Sequence, residues 1–316
     1  MKTIYLHIGI GKTGTSSIQQ HLANYHKEYL LNDLRYIQCT GGITGDGHQN
    51  FAKSFIFDVP DYMHISDQVM NSRDEVKSEL VCASEKNILL SSENFQLASP
   101  LEIKKYFLSI NQDYKFKIIL FVRSQEELAE SEYNQIVKVR LEKRSFFNYI
   151  NSEFDGDFMR LASEWEGVFG RENLMCKIYD AKQKTAINDL LDCISGPNPS
   201  YTKNKNTAHS IENTSLGISA LTIKRMINRL SADNSSNMHI ELPKVIVDLI
   251  GLNDCPALMM DSNQAKQFRL RFKKSNIQFS KRYLGKKMIF LGGQRYDDQE
   301  RDRIINIVDQ LIGIRK

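Results

Sequence analysis

The sequence predicts an α/β fold with a central parallel sheet flanked by helices and a mainly helical C-terminal part. Short apolar runs typical of strands alternate along the chain with longer stretches of helical periodicity. This alternation is the pattern of a parallel sheet whose strands are joined by crossover helices. In addition, the first apolar run leads directly into a glycine-rich turn and an amphipathic helix, which is how many such folds begin.

Each element follows from its own run of residues. The predicted strands are residues 3–8, 35–38, 87–92, 116–122 and 174–179. The predicted helices between them are residues 14–32, 62–84, 100–110, 125–140 and, as more than one helix, 145–169. A glycine-rich loop at residues 41–47 precedes a further predicted helix that begins at His48.

We expect one domain over residues 1–316. Its α/β core, with the functional site, is predicted at residues 1–195, and a helical extension at residues 203–316. The polar tract at residues 195–213 has the Gly, Pro, Ser and Asn content of a loop.

Composition indicates an ordinary globular protein. The chain has 316 residues, of which 41% are hydrophobic and 25% charged, and its net charge of +4 is too small to imply a nucleic-acid partner. The five cysteines are scattered and without a C-x-x-C pair, which favours reduced thiols over zinc or disulfides. Met1 leads directly into the first strand, and no apolar run approaches the ~20 residues that span a bilayer. We therefore expect a cytoplasmic protein with no membrane span.

The turn after the first strand has the features of an anion site. Its glycines allow backbone amides to come close to a ligand, and the first N–H groups of a helix attract negative charge. Lys12 adds a full positive charge, and the hydroxyl side chains add donors. The predicted binding residues are Gly11, Lys12, Thr13, Gly14, Thr15, Ser16 and Ser17.

ATP is not the anion that this turn favours. A nucleotide P-loop would need a glycine at position 6, where the chain has Leu6. The strand Ile118–Val122 ends in Arg123, a cation, where a metal-binding aspartate would be expected. These features suggest a phosphate that is bound without a metal.

The run Lys12-Thr13-Gly14-Thr15-Ser16 resembles the phosphate loop of sulfotransferases that use 3′-phosphoadenosine-5′-phosphosulfate (PAPS). The second motif of that family, an apolar strand ending in Arg with Ser eight positions later, is matched by Arg123 and Ser131. The resemblance covers roughly residues 1–180 and is to the bacterial or carbohydrate type, with a P-loop-like three-layer fold. An arginine at the carboxyl end of a parallel strand also has the position and the planar fork that suit a phosphate.

The resemblance implies an activity and a set of roles. A sulfuryl group would pass from PAPS to an acceptor hydroxyl, with adenosine 3′,5′-bisphosphate (PAP) as the other product and no metal required. Lys12 would stabilise the leaving phosphate, residues 13–17 would bind the 5′-phosphate, and Arg123 and Ser131 would hold the 3′-phosphate. The acceptor would be a glycan, a glycolipid or a small hydroxyl metabolite.

The general base is left open between two residues. Glu93 follows the strand at residues 88–90 and would lie at the ligand-binding edge of a parallel sheet. His48 follows a glycine-rich loop and has a side chain that titrates near neutral pH. Each also has a structural explanation: Glu93 could cap a helix, and His48 could be a solvated loop residue.

Some features do not fit the resemblance. Ser17 stands where cytosolic members of the family have a tryptophan that stacks on adenine, so the residue that holds adenine is not identified. A basic run at residues 266–287 contains nine Lys and Arg and no acid. It is either a solvated helix face or a surface that attracts an anionic glycan or the cofactor.

Two alternative functions remain. One is a divergent P-loop phosphotransferase that uses ATP, and the other is a non-enzymatic protein that binds nucleic acid or another polyanion through the basic run. Neither accounts for the Lys12 loop and the Arg123–Ser131 spacing together. The oligomeric state is not indicated by the sequence.

Overall fold

The computed structural model describes residues 1–30, 32–38, 47–60, 63, 65–180, 185–195, 215–230, 243 and 259–285. The strands are β1 (Thr3–Gly9), β2 (Leu34–Tyr36), β3 (Asn87–Ser92), β4 (Lys115–Val122) and β5 (Leu174–Ile178). The helices are α1 (Thr15–Asn24), α2 (His26–Leu30), α3 (Gln49–Lys53), α4 (Asp67–Cys82), α5 (Pro100–Ile110), α6 (Gln125–Val139), α7 (Phe146–Ser152), α8 (Phe158–Phe169), α9 (Ala186–Ser195), α10 (Ile218–Leu230), α11 (Ser262–Arg271) and α12 (Lys273–Tyr283). Short 3₁₀ turns at Glu93–Leu97 and Arg171–Asn173 follow β3 and precede β5.

The strands form one sheet in the order β2-β3-β1-β4-β5, and every neighbouring pair is parallel. The central strands are apolar along almost their whole length because both of their faces are covered. The predicted α/β class with a central parallel sheet is confirmed. Since all five strands run the same way, their carboxyl ends meet at one edge.

Helices cover both faces of this sheet, which gives three layers. One face packs against α1 and α9 in a buried cluster that includes Tyr5, Leu89, Phe121, Ile18, Leu22 and Leu190. On the opposite face, the Phe116 ring lies 6.0 Å from Phe107 of α5 and 5.2 Å from Phe169 of α8, between ring centroids. The alternation of side chains along each strand supplies both surfaces.

The chain divides into two compact units. The first comprises Met1–Arg123, Asp157–Ile211 and Ser275–Met288, and the second Ser124–Gly156, Glu212–Lys274 and Ile289–Lys316. The first contains the sheet. Within the second, the rings of Tyr133 and Phe146 pack α6 against α7 at 5.3 Å, and Asn228 of α10 donates to the carbonyl of Val137 at 2.8 Å. The predicted boundary between residues 195 and 203 lies outside the described residues and stays a prediction.

The element predictions agree with the structure except at two helices. The helix predicted for residues 14–32 is interrupted at Tyr25, whose backbone leaves the helical region with φ −107° and ψ 17°. The helix predicted from residue 62 begins at Asp67. The glycine-rich loop at 41–46, the tract at 196–213 and much of the predicted helical C-terminal part lie outside the described residues.

Candidate functional site

The turn between β1 and α1 has a left-handed backbone at two positions. Lys12 has a φ of 67° and Gly14 a φ of 78°. The hydroxyl of Thr13 closes the turn by donating to the carbonyl of Ile10 at 2.6 Å, inside the protein. This geometry is costly for a residue with a side chain, so the turn is a specialised structure and not a simple connection.

The start of α1 offers backbone donors to a ligand. The first helical hydrogen bond runs from Ile18 N to Gly14 O at 3.0 Å, so the N–H groups of Thr15, Ser16 and Ser17 have no partner within the helix. No side chain caps this end, and its first turn contains no acidic residue. The helix dipole adds partial positive charge there. This end of α1 therefore offers three backbone donors and a partial positive charge.

Arg123 joins this loop from the neighbouring strand. It follows β4, in which Phe121 pairs with Gly9 of β1. Its Nη1 donates to the carbonyl oxygen of Lys12 at 2.9 Å. The two cationic elements that the sequence predicted separately are thus held together at the edge of the sheet.

Tyr179 is a residue of this site that the sequence analysis missed. It follows β5, and its N–H donates to Val122 O at 2.7 Å. The guanidinium carbon of Arg123 lies 5.7 Å from the centroid of its ring, and a Cβ on Gly14 would stand 2.8 Å from its Cε2. The sequence feature that could have indicated Tyr179 is its position as an aromatic residue at the carboxyl end of the last predicted strand.

Glu93 lies on the other side of the loop. It follows β3, whose last residue, Ser92, pairs with Ile8 of β1. Glu93, the Lys12 loop and Arg123 therefore follow three adjacent strands at one edge of the sheet. The carboxylate of Glu93 accepts a hydrogen bond from Gln49 Nε2 at 3.2 Å.

His48 has a different environment from the one we expected. Its side chain is buried, Nδ1 accepts a hydrogen bond from the N–H of Ser91 at 3.0 Å, and Nε2 donates to the carbonyl of Ile37 at 2.9 Å. Burial lowers the pKa of His48 to about 4. With both ring nitrogens bonded to backbone, the ring has none left for the proton of an acceptor, and this geometry favours a structural role.

Ser131 lies on α6 in the second unit and is half-buried. Its role in holding a 3′-phosphate stays a prediction. Arg123 and Ser131, the two residues of the second motif, are thus assigned to different compact units.

Several arginines of the basic run are engaged within the protein. Both oxygens of the buried Glu126 accept from Arg269 Nη1 at 2.8 Å, Arg271 donates to the carbonyl of Ile150 at 3.3 Å, and Arg282 pairs with Glu166. The exposed cations of the run in the described part are Lys266, Lys273, Lys274 and Lys281, together with the partly engaged Arg271 and Arg282. Lys286 and Lys287 lie outside the described residues. Part of the run therefore stabilises the helices that carry it.

In the part of the chain that the structure describes, no group of three or more His, Cys, Asp or Glu side chains is arranged to hold a metal ion. No helix there has the length and apolar character to cross a membrane.

The fold defines an α/β protein with a five-stranded parallel sheet, and the Lys12 loop, Arg123 and Glu93 follow adjacent strands at its carboxyl edge. No family model matches the sequence, and no curated protein matches it. The chain is similar in structure to a sulfotransferase from Alicyclobacillus acidocaldarius, with a TM-score of 0.45, 14% identity and coverage of 89% of this chain and 95% of that chain.

Two further structural neighbours have lower TM-scores. A retinol dehydratase in complex with androsterone and the inactive cofactor PAP has a TM-score of 0.28 at 12% identity, covering 99% of this chain and 80% of that chain. A protein of the PezAT toxin–antitoxin system of Streptococcus pneumoniae has a TM-score of 0.34 at 14% identity, covering 61% and 77%. Likenesses of this size carry no argument about activity.

Proposed function

We propose that the protein is a sulfotransferase that uses PAPS as donor and an acceptor hydroxyl as the second substrate. The observation that carries the proposal is the hydrogen bond from Arg123 to the carbonyl of Lys12, 2.9 Å long. It holds the loop predicted to bind the 5′-phosphate beside the arginine predicted to bind the 3′-phosphate. A nucleotide with phosphates at both positions needs two such elements.

The residues of the loop fit a bound phosphosulfate. Lys12 and the N–H groups at the start of α1 supply donors, and the hydroxyl of Thr15 is buried and has no hydrogen-bond partner among the described residues. A buried hydroxyl without a partner costs free energy that a ligand oxygen would recover. The Thr15 side chain packs directly against Gly9, where a Cβ would meet its Oγ1 at 2.1 Å.

Tyr179 is our candidate for the adenine contact that the sequence left unidentified. Aromatic rings bind nucleobases by stacking, and this ring lies beside both the loop and Arg123. In this proposal the Tyr179 ring takes the stacking role of the tryptophan that cytosolic members of the family have at the position of Ser17.

In the reaction, PAPS supplies a sulfuryl group on a good leaving phosphate. The positive charge of Lys12 and the amides of the loop stabilise the negative charge that grows on that phosphate. In this proposal Glu93 accepts the proton of the acceptor hydroxyl as the hydroxyl oxygen attacks sulfur. His48 is bonded to backbone on both nitrogens, so Glu93 is the base we propose.

The acceptor is proposed to be a hydroxyl of a carbohydrate or glycolipid, with a small hydroxyl metabolite as the other possibility. The exposed lysines of the basic run would favour an anionic glycan. A cytoplasmic location, expected from the sequence, belongs to the same proposal.

Calorimetric titration with PAP, beside ATP with Mg²⁺, tests the donor. We expect tight binding of PAP by the wild type and a loss of about 10- to 150-fold in Arg123→Ala, since charge-assisted hydrogen bonds contribute roughly 1.5–3 kcal/mol. Lys12→Ala should also weaken binding, whereas Lys105→Ala, at an exposed lysine of α5, is the matched control.

Other results would favour the alternatives. Binding of Mg-ATP without PAP would replace the proposal with an ATP-dependent phosphotransferase. Salt-sensitive binding of a polyanion that is insensitive to Lys12→Ala would indicate the basic run instead.

A further inference from the structure

A chain of polar side chains leads from the centre of the sheet to Glu93. The ring of His7 on β1 lies 2.8 Å from the hydroxyl of Ser91, through Nδ1. Gln19 of α1 donates from Nε2 to the Ser91 carbonyl at 3.1 Å. Gln49 of α3 donates from Nε2 to Gln19 Oε1 at 3.1 Å and to Glu93 Oε2 at 3.2 Å.

The direction of these bonds determines how the amide of Gln49 is oriented. Its Nε2 carries two hydrogens, and its two neighbours there are both oxygens, of Gln19 and Glu93. If the amide oxygen and nitrogen of Gln49 were exchanged, its oxygen would face the oxygens of Gln19 and Glu93, and no hydrogen bond could form among these three acceptors. An amide does not release a proton under these conditions, so Gln49 can orient the carboxylate but cannot relay its proton.

The backbone next to Gln49 is also held in place. His48, the preceding residue, bonds to Ser91 through its own N–H at 3.0 Å and through its ring. Gly47 lies so close that a Cβ there would meet the side-chain amides of Gln19 at 2.5 Å and Gln49 at 2.6 Å. The close approach of Gly47 and the bonds of His48 to Ser91 therefore restrict the positions of the Gln19 and Gln49 side chains.

We propose that Gln49, itself held by Gln19, is a positioning residue for the general base. It binds Oε2 of Glu93, which leaves Oε1 as the oxygen that meets the acceptor hydroxyl. This inference rests on the proposed function, because it assigns Gln49 a role only through Glu93. It adds a residue for which the sequence contained no motif.

A double-mutant cycle tests the proposal. The rate of PAP release from PAPS, with water and simple sugars as acceptors, is measured for wild type, Gln49→Met, Glu93→Gln and the double variant. Methionine keeps the size of glutamine and removes its donor. We expect Gln49→Met to lower kcat about 10- to 100-fold with KM for PAPS nearly unchanged, because a slightly misplaced base is a poor base.

The double variant decides whether Gln49 acts through Glu93. If it does, adding Gln49→Met to Glu93→Gln lowers the rate no further. An equal loss in both backgrounds, or a wild-type rate for Gln49→Met, would overturn the proposal. Gln49→Asn keeps a shorter amide and serves in the same cycle if Gln49→Met does not fold, and Gln68→Met, on the exposed side of α4, is the control.

The failure of the proposed function would look different. A wild type that neither binds PAP nor releases it from PAPS overturns the sulfotransferase assignment and this inference with it. A wild type that does both, with a Gln49→Met variant that is equally fast, overturns the positioning role alone.

Discussion

Gly14 and Tyr179 are in such close approach that a Cβ on the glycine would stand 2.8 Å from Cε2 of the ring. The glycine also has a φ of 78°. Two independent constraints therefore disfavour a side chain at this position, one from the backbone and one from the aromatic ring that follows β5. The relationship links the phosphate loop to the residue that we propose for adenine.

Gly14→Ala should weaken PAP binding at least about tenfold, because the left-handed backbone alone disfavours alanine by roughly 1–2 kcal/mol and the ring must also move. Calorimetry with PAP measures this change. Gly167→Ala is the matched control, since Gly167 is a helical glycine of α8 with no atom within 4 Å of its added Cβ. It should bind PAP as the wild type does and gain about 0.5–1 kcal/mol of stability. Wild-type affinity in Gly14→Ala would contradict the proposed loop geometry.

Tyr179→Ala should reduce PAP affinity about 5- to 150-fold, the equivalent of the roughly 1–3 kcal/mol of a base–aromatic stack. Tyr179→Phe keeps the ring and should bind nearly as well as the wild type. Inorganic pyrophosphate, which has no base to stack, should bind equally to all three proteins. A similar loss for Phe and Ala would mean that the hydroxyl, and not the ring face, makes the contact.

Glu93→Gln should lower the rate of sulfuryl transfer from PAPS by about 10²- to 10⁴-fold, because it removes the proton acceptor while it keeps the shape of the side chain. The affinity for PAP should change little. Glu102→Gln, at a half-exposed carboxylate of α5, is the control. A Glu93→Gln protein with the wild-type rate would show that another group takes the proton.

Acidification should destabilise the protein in part through His48. Burial lowers the pKa of His48 from 6.5 to about 4, so on acidification the unfolded chain binds the proton before the folded protein does. The free energy of unfolding therefore falls as the pH falls from about 6.5 to about 4. The loss should amount to roughly 2 kcal/mol between about pH 7 and pH 5. Urea unfolding at both pH values should show this component in the wild type and not in His48→Gln.

Gln68→Met, at an exposed residue of α4 that does not titrate, is the control for that experiment. It should show the same dependence on pH as the wild type. An identical pH dependence in His48→Gln and wild type would argue against a buried, neutral ring at position 48. Buried His7, whose pKa burial lowers to about 3, adds a similar component in every variant that retains it.

The loop and the strand that ends in Arg123 could be predicted because their signals are local. A β-prone run followed by glycines and an amphipathic helix specifies a strand, a turn and a helix N-terminus within about 20 residues of chain. Ligands of parallel sheets bind at the carboxyl ends of the strands, so the residues that follow each predicted strand could be expected at that edge. Glu93 was placed at the correct edge for the same reason.

His48 could not be placed in this way. Its sequence context, after a glycine-rich loop, is compatible with an exposed side chain, whereas the structure encloses the ring between Ile37 and Ser91. Those contacts depend on the pairing of β2 with β3, which brings distant segments together. Tyr179 was missed for a related reason, since it reaches the loop only because β5 pairs with β4.

By itself, then, the sequence determined the α/β class, the positions of the strands and the strand–turn–helix around Lys12, since hydrophobic period and turn residues act over short distances. Only the tertiary structure decided which side chains meet. Gln49 lies 30 residues from Gln19 and 44 from Glu93, and the hydrogen bonds among them form because the sheet and its helices bring those segments together. Contacts of this kind have no pattern in the chain, because each partner is specified by packing and not by its neighbours in sequence.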